Sequence, residues 1–222
     1  ILSIYNMLDV FYFIFGSIVA CDIIVCMQPF IKLFFGEEYL LTFGYVIGIA
    51  IDKHFGMQFE NAWNFRAVLG LFEQDRKWWV FSAIANIVFS IILVKLFGII
   101  GIILGTIAAF VFIVYGRIQF VFKNILSNSS MNKYIVKHFM WTLLVAVEIA
   151  VIYYVCSYIA AETWAGVVLR FIIATLMIIV FQGISFLPVK GFRELCIYIF
   201  NFLNINKSKL FFSKKDRGDI II

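Results

Sequence analysis

The sequence predicts an all-α protein, a polytopic transmembrane helix bundle with six spans. Three observations predict it. Hydrophobic residues are 64% of the 222 and charged residues only 14%. A soluble domain of this length has too much surface for its interior to hide that apolar mass. The apolar residues also fall in six blocks long enough to cross a bilayer, which takes about 20 residues of helix. The blocks are continuous, not alternating, so helices are favoured over a barrel.

The first span is expected from about Val10 to Phe34, with Asp22 deep inside it and Pro29 near its end, where a missing amide donor matters least. The second starts near Leu40 and runs to about Arg66. Its first half, LLTFGYVIGIAI, is apolar, and its second half, DKHFGMQFENAWNF, is not. The third is Trp78 to Phe97 and the fourth Ile99 to about Phe122. The fifth, about Phe139 to Ala160, carries Glu148. The sixth, about Ala165 to Leu187, carries Arg170 near its outer end, from where it reaches the interface by snorkelling. Burial favours the protonated forms of Asp22 and Glu148. The stretch after Gly191 is apolar with a few polar positions, too short to span, and is expected along the inner interface.

Charge sets the expected orientation. With both chain ends in the cytoplasm, inner loops and tail hold fourteen basic residues, from Arg66 and Arg76 to Lys215 and Arg217. The outside holds two, Lys32 and Lys95. That bias is the signature of cytoplasmic basic loops. The net charge of +5 is then a topology signal and an attraction to the membrane surface, with no nucleic-acid partner implied. The chain opens on Ile1, and no charged leader with a small-residue cleavage site precedes the first span; a fragment lacking an N-terminal part is expected. Cys21, Cys26, Cys156 and Cys196 lack metal or redox spacing and read as structural.

The second span is the anomaly. Asp52, Lys53, His54, Gln58, Glu60, Asn61 and Asn64 all fall in it. A lone charge at bilayer depth costs at least ~2.5–3.5 kcal/mol, so such residues face a bundle interior or a wet cavity. Asp52, Gly56 and Glu60 recur every four residues and share a face. A polar cavity is the functional reading; internal salt bridging is the bland one. Ser82, Asn86 and Ser90 repeat the spacing on the third span, as a wetted stripe or as interhelical hydrogen bonding. Gly101, Gly105 and Ala109 form a small-residue line on the fourth, read as helix packing. No metalloprotease, serine-hydrolase, phosphate-loop or paired-cysteine zinc pattern occurs, so no metal or cofactor is expected. Transport or lipid handling fits better than catalysis.

Several stretches carry a family resemblance. Pro29 to Leu41, PFIKLFFGEEYLL, resembles the end of a span and the outer turn in bacterial polysaccharide repeat-unit flippases, within the MATE-like superfamily of multidrug, oligosaccharidyl-lipid and polysaccharide exporters. Trp63 to Arg76, with Arg66, Gly70, Phe72 and Asp75, is similar to that family's cytoplasmic segment. Asn86 followed by LFGIIGIILGT from Leu96 to Thr106 resembles its asparagine-containing helix, tight turn and glycine-rich helix. The sequence departs from the family at Ala67 and at Lys77, Trp78 and Trp79.

The resemblance, which covers about residues 10–125, implies a two-lobed transporter of twelve to fourteen helices. Residues 1–122 would be the last four helices of the C-terminal lobe and 123–137 a cytoplasmic loop. Residues 138–188 would be two extra C-terminal helices, and 189–222 an interfacial helix and basic cytoplasmic tail. About eight helices, including the N-terminal lobe, would be missing. It implies a substrate, an undecaprenyl-pyrophosphate-linked oligosaccharide, flipped across the bacterial cytoplasmic membrane by alternating access. Implied partners are the bilayer, the missing lobe, a polysaccharide polymerase and glycosyltransferases. The expected cavity residues are Asp52, Lys53, His54, Glu60, Asn64, Arg66, Ser82, Asn86 and Ser90, with Lys53 and Arg66 as the cations for the pyrophosphate. Alternatives are a multidrug or small-cation exporter of the same superfamily, or an integral-membrane glycan-assembly enzyme such as a polymerase or acyl transferase.

Overall fold

A computed structural model of the chain describes residues 2–68, 70, 73, 76–124 and 130–211. Among the described residues all regular structure is helical: α1 (Leu2–Phe34), a 3-10 turn (Glu37–Tyr39), α2 (Phe43–Gln58), α3 (Glu60–Val68), α4 (Arg76–Phe97), α5 (Ile100–Asn124), α6 (Met131–Ser157), α7 (Trp164–Phe186) and α8 (Lys190–Phe211). Five of these, α1, α4, α5, α6 and α7, are long and apolar enough to cross a membrane. The chain has the make-up of a membrane protein.

Three elements differ from the sequence expectation. First, α1 starts eight residues before Val10 and runs for 33 residues. At 1.5 Å per residue that is about 50 Å, against roughly 30 Å of hydrocarbon. Second, the span expected from Leu40 to Arg66 is divided, so six continuous spans become five plus a broken pair. α2 stops at Gln58, Phe59 leaves helical geometry at φ −101 and ψ 5, and α3 resumes at Glu60. The polar run here cannot serve a lipid-buried helix. After the break, Asn61 donates to the Tyr5 carbonyl (2.9 Å) and Asn64 to the Tyr12 hydroxyl (2.7 Å), both on α1. Third, residues 131–137, expected as loop, form the start of α6. Ser130 caps it, its hydroxyl accepting from the Lys133 amide at 3.5 Å.

α1 is the central post. It packs against α2, α3, α6, α7 and α8. Phe13 sits at the hub, fully buried, with His54, Trp141 and Phe186 ring centroids 5.1–5.5 Å away. One apolar core lies around Phe13, Cys21, Ile152 and Ile178; a second surrounds Tyr5, Ala62, Ile118 and Tyr134. α8 seats on the start of α1, where a Cβ on Gly191 would fall 2.4 Å from the Asn6 carbonyl oxygen.

α4 and α5 form a hairpin turned at Gly98, whose φ of 63 suits glycine. The helices touch closely: a Cβ on Gly101 would lie 2.2 Å from the Leu93 carbonyl, and one on Gly105 2.5 Å from the Ser90 hydroxyl. α4 leans chiefly on α5 and buries none of its residues.

Candidate functional site

A polar cleft of about 420 Å³ opens between α2–α3 and the α4–α5 hairpin. Asp52, Lys53, Gly56, Met57, Glu60, Trp63, Trp79 and Phe110 line it. The four-residue repeat explains the grouping: Asp52 and Gly56 share a face of α2, and Glu60 opens α3 on the same side despite the break. Lys53 Nζ lies 3.1 Å from the Asp52 carboxylate, with the lysine side chain 55% exposed. Both partners of the bridge line the cleft.

A second cleft of about 420 Å³ shares Trp63 and Trp79 and adds Arg66, Glu73 and Arg76. The two indoles meet edge to face at 5.8 Å. The Arg66 guanidinium carbon lies 4.0 Å from the Trp63 ring centroid, a cation–π contact. Arg66 is buried. The two clefts thus bring three carboxylates, one lysine and two arginines around a pair of indoles. Carboxylates and ammonium groups hydrogen-bond hydroxyls. Indole faces receive apolar C–H surfaces. Guanidinium groups match phosphate oxygens in pairs.

Other expected site residues lie elsewhere. His54 points to α1, is buried, and edges an apolar cleft with Ala20, Ile47, Ala50 and Val145. Neither of its ring nitrogens has a hydrogen-bond partner of normal geometry among the described residues. Asn64 ties α3 to Tyr12 and does not line the clefts. Ser82 donates to the Ala109 carbonyl (2.9 Å), Asn86 to the Thr106 hydroxyl (3.2 Å), and Ser90 packs on Gly105. The serine–asparagine stripe therefore faces the small-residue line of Gly101, Gly105 and Ala109 and holds the hairpin. Of the expected loop motif, Gly70 forms a turn with φ 68 and Arg76 opens α4. Phe72 and Asp75 lie outside the described residues.

A buried polar network was not expected from the sequence. The Asp9 carboxylate, fully buried, accepts hydrogen bonds from the Tyr134 hydroxyl (2.7 Å), Lys137 Nζ (3.0 Å) and His138 Nε2 (3.0 Å). His138 Nδ1 meets Gln58 Nε2 at 2.6 Å. Asp9 fell just before the expected first span and His138 just before the fifth, and no spacing rule connects positions 129 residues apart. Two smaller pairs sit farther along the bundle. Glu148 accepts from Gln182 and from the Ser185 hydroxyl (2.8 Å), and Thr175 donates to Asp22 at 3.1 Å. Both Arg170 donors reach the Ile159 carbonyl in the α6–α7 turn, Nε at 2.8 Å.

No family model, curated protein or solved structure matches this chain.

Proposed function

We propose that this chain is part of an exporter that flips an undecaprenyl-pyrophosphate-linked oligosaccharide across a bacterial cytoplasmic membrane, with both of its ends on the cytoplasmic side. One observation carries the reading: the paired clefts around Trp63 and Trp79 combine stacking faces, carboxylates and cations. Sugar rings present C–H faces to indoles and hydroxyls to Asp52, Lys53 and Glu60. The pyrophosphate would fall to Arg66 and Arg76 in the adjoining cleft. The sequence resemblance points to the same substrate class. Transport, not catalysis, is the proposed activity, and the remainder of the transporter, a polymerase and glycosyltransferases are the proposed partners.

The runner-up, a multidrug or small-cation exporter, is favoured by two apolar clefts of about 380 and 300 Å³ beside α6. Binding separates the two. The chain in lipid nanodiscs is titrated with the lipid-linked oligosaccharide and, separately, with a hydrophobic cation, reading tryptophan fluorescence. The oligosaccharide reading expects a saturable change with the sugar lipid that disappears in Trp63→Phe/Trp79→Phe. A response to the cation alone would favour the runner-up.

A further inference from the structure

The Asp9 network joins three helices at one imidazole. Asp9 belongs to α1, His138 to α6 and Gln58 to the last residue of α2. His138 Nε2 faces the Asp9 carboxylate, an acceptor that fixes a proton on that nitrogen. Nδ1 faces the Gln58 side-chain amide. The amide offers a donor at one end and an acceptor at the other, and which end points at the ring is interchangeable. With Nε2–H fixed, a neutral ring takes a hydrogen bond from the amide N–H. A protonated ring gives one to the amide oxygen. The outer end of the amide, Oε1, is buried and has no partner among the described residues, so the turn breaks no hydrogen bond there. His138 therefore gains a proton at Nδ1 without losing a hydrogen bond.

Opposing influences act on that proton: burial of the ring disfavours the charged form, and the Asp9 carboxylate favours it. Asp9 balances an imidazolium directly. Gln58 ends α2, and the negative end of a helix dipole attracts positive charge. Lys137 opposes it, with its side chain 37% exposed while Asp9 is closed off. The other titratable groups facing the network are Tyr5 and Tyr134, near Asp9, and His54 on α2. α5 presents apolar side chains, Val114 and Ile118 beside His138 and Phe122 on Tyr134. α7 adds Phe186 against Trp141 and Phe13. α3 contributes Asn61 to the Tyr5 carbonyl, and on α8 Glu194 takes Ser3 and Lys190.

We propose that His138, held between Asp9 and Gln58, is a proton-binding site whose occupancy fastens the end of α2 to α1 and α6. Protonation converts the Gln58 contact into a charge-assisted bond, which is the stronger kind. That bond sits one residue before the break at Phe59, whose ring lies 5.9 Å from that of His138. α3, beyond the break, carries Glu60, Trp63 and Arg66. A proton at His138 thus steadies the joint that positions the cleft.

The test uses the whole chain in lipid nanodiscs with 15N-labelled histidine and no added ligand. His54 and His138 are its two histidines, and a His54→Phe variant assigns the signals. The expected result is a His138 Nδ1 resonance that gains its proton as the pH is lowered from about 8 to about 4, with Nε2 protonated throughout. Amide hydrogen exchange across residues 56–62, corrected for intrinsic rate, should show protection rising several-fold at the lower pH. Gln58→Met, whose thioether is at most a weak acceptor, should flatten that dependence. A His138 that keeps one protonation state across the range overturns the proposal, and that reading on the native chain decides even if Gln58→Met does not fold. An unchanged pH dependence in folded Gln58→Met overturns it as well.

Discussion

The carboxylate of Asp9 receives the Nε2–H of His138 at 3.0 Å, and neither residue exposes appreciable surface. The contact ties the start of α1 to the start of α6. A carboxylate in that position must be paired, because an isolated buried charge is far more costly than a satisfied one.

Asp9→Leu is accordingly expected to destabilise the protein by about 3 kcal/mol, since it leaves Lys137 and Tyr134 without their acceptor. Asp9→Leu combined with Lys137→Met should recover part of the loss. Unfolding in mixed micelles, monitored by circular dichroism, checks both. Equal stability of Asp9→Leu and the native chain would show the network to be unimportant for folding.

Lys53 and Arg66 should part company when neutralised. Lys53 is half exposed and its bridge to Asp52 is weak, so Lys53→Met should cost no more than about 1 kcal/mol and leave membrane abundance near normal. Its expected defect is in binding the sugar lipid. Arg66 is buried against Trp63, so Arg66→Gln should lower the amount of folded protein as well. Binding per unit of folded protein is the measurement. Undiminished specific binding in both variants would take these cations out of the site.

The α4–α5 hairpin should fail when its small residues grow. Gly105→Val places atoms where the Ser90 backbone and hydroxyl already are. Phe89 and Phe112, with ring centroids 6.2 Å apart, mark a place for a reporter crosslink by a short bifunctional thiol reagent. In a cysteine-free background, Phe89→Cys/Phe112→Cys should crosslink readily, and adding Gly105→Val should abolish the crosslink. Ser82→Ala removes one interhelical hydrogen bond and should cost only about 0.6 kcal/mol. Efficient crosslinking in the Gly105→Val background would mean that the close approach is dispensable.

Orientation follows from impermeant thiol labelling of intact cells. Glu37 lies in the turn after α1 and pairs with Lys32 at 2.6 Å, and Glu162 lies between α6 and α7. Glu37→Cys and Glu162→Cys should be labelled from outside, and Ser130→Cys only after lysis. Labelling of position 130 in intact cells would reverse the proposed orientation.

The sequence alone determined the helical class, most of the long helices and the face that Asp52, Gly56 and Glu60 share. These are local properties: apolar run length sets a membrane helix, and a spacing of four sets a face. The polar second half of the expected second span already marked the one place where a continuous lipid helix would be strained. Local information also put the serine–asparagine stripe on one helix and the glycine line on another. It could not say that Ser90 would meet Gly105, because a stripe looks the same whether it faces water or a neighbour. It placed His54 beside Lys53, yet adjacent helix residues point about 100° apart, and packing turned His54 to Phe13 and Lys53 to the cleft. Asp9 lay outside every expected span. Its partnership with His138 and Gln58 arises only when α1, α2 and α6 close around Phe13, a pairing that depends on three-dimensional proximity and leaves no periodic trace in the chain.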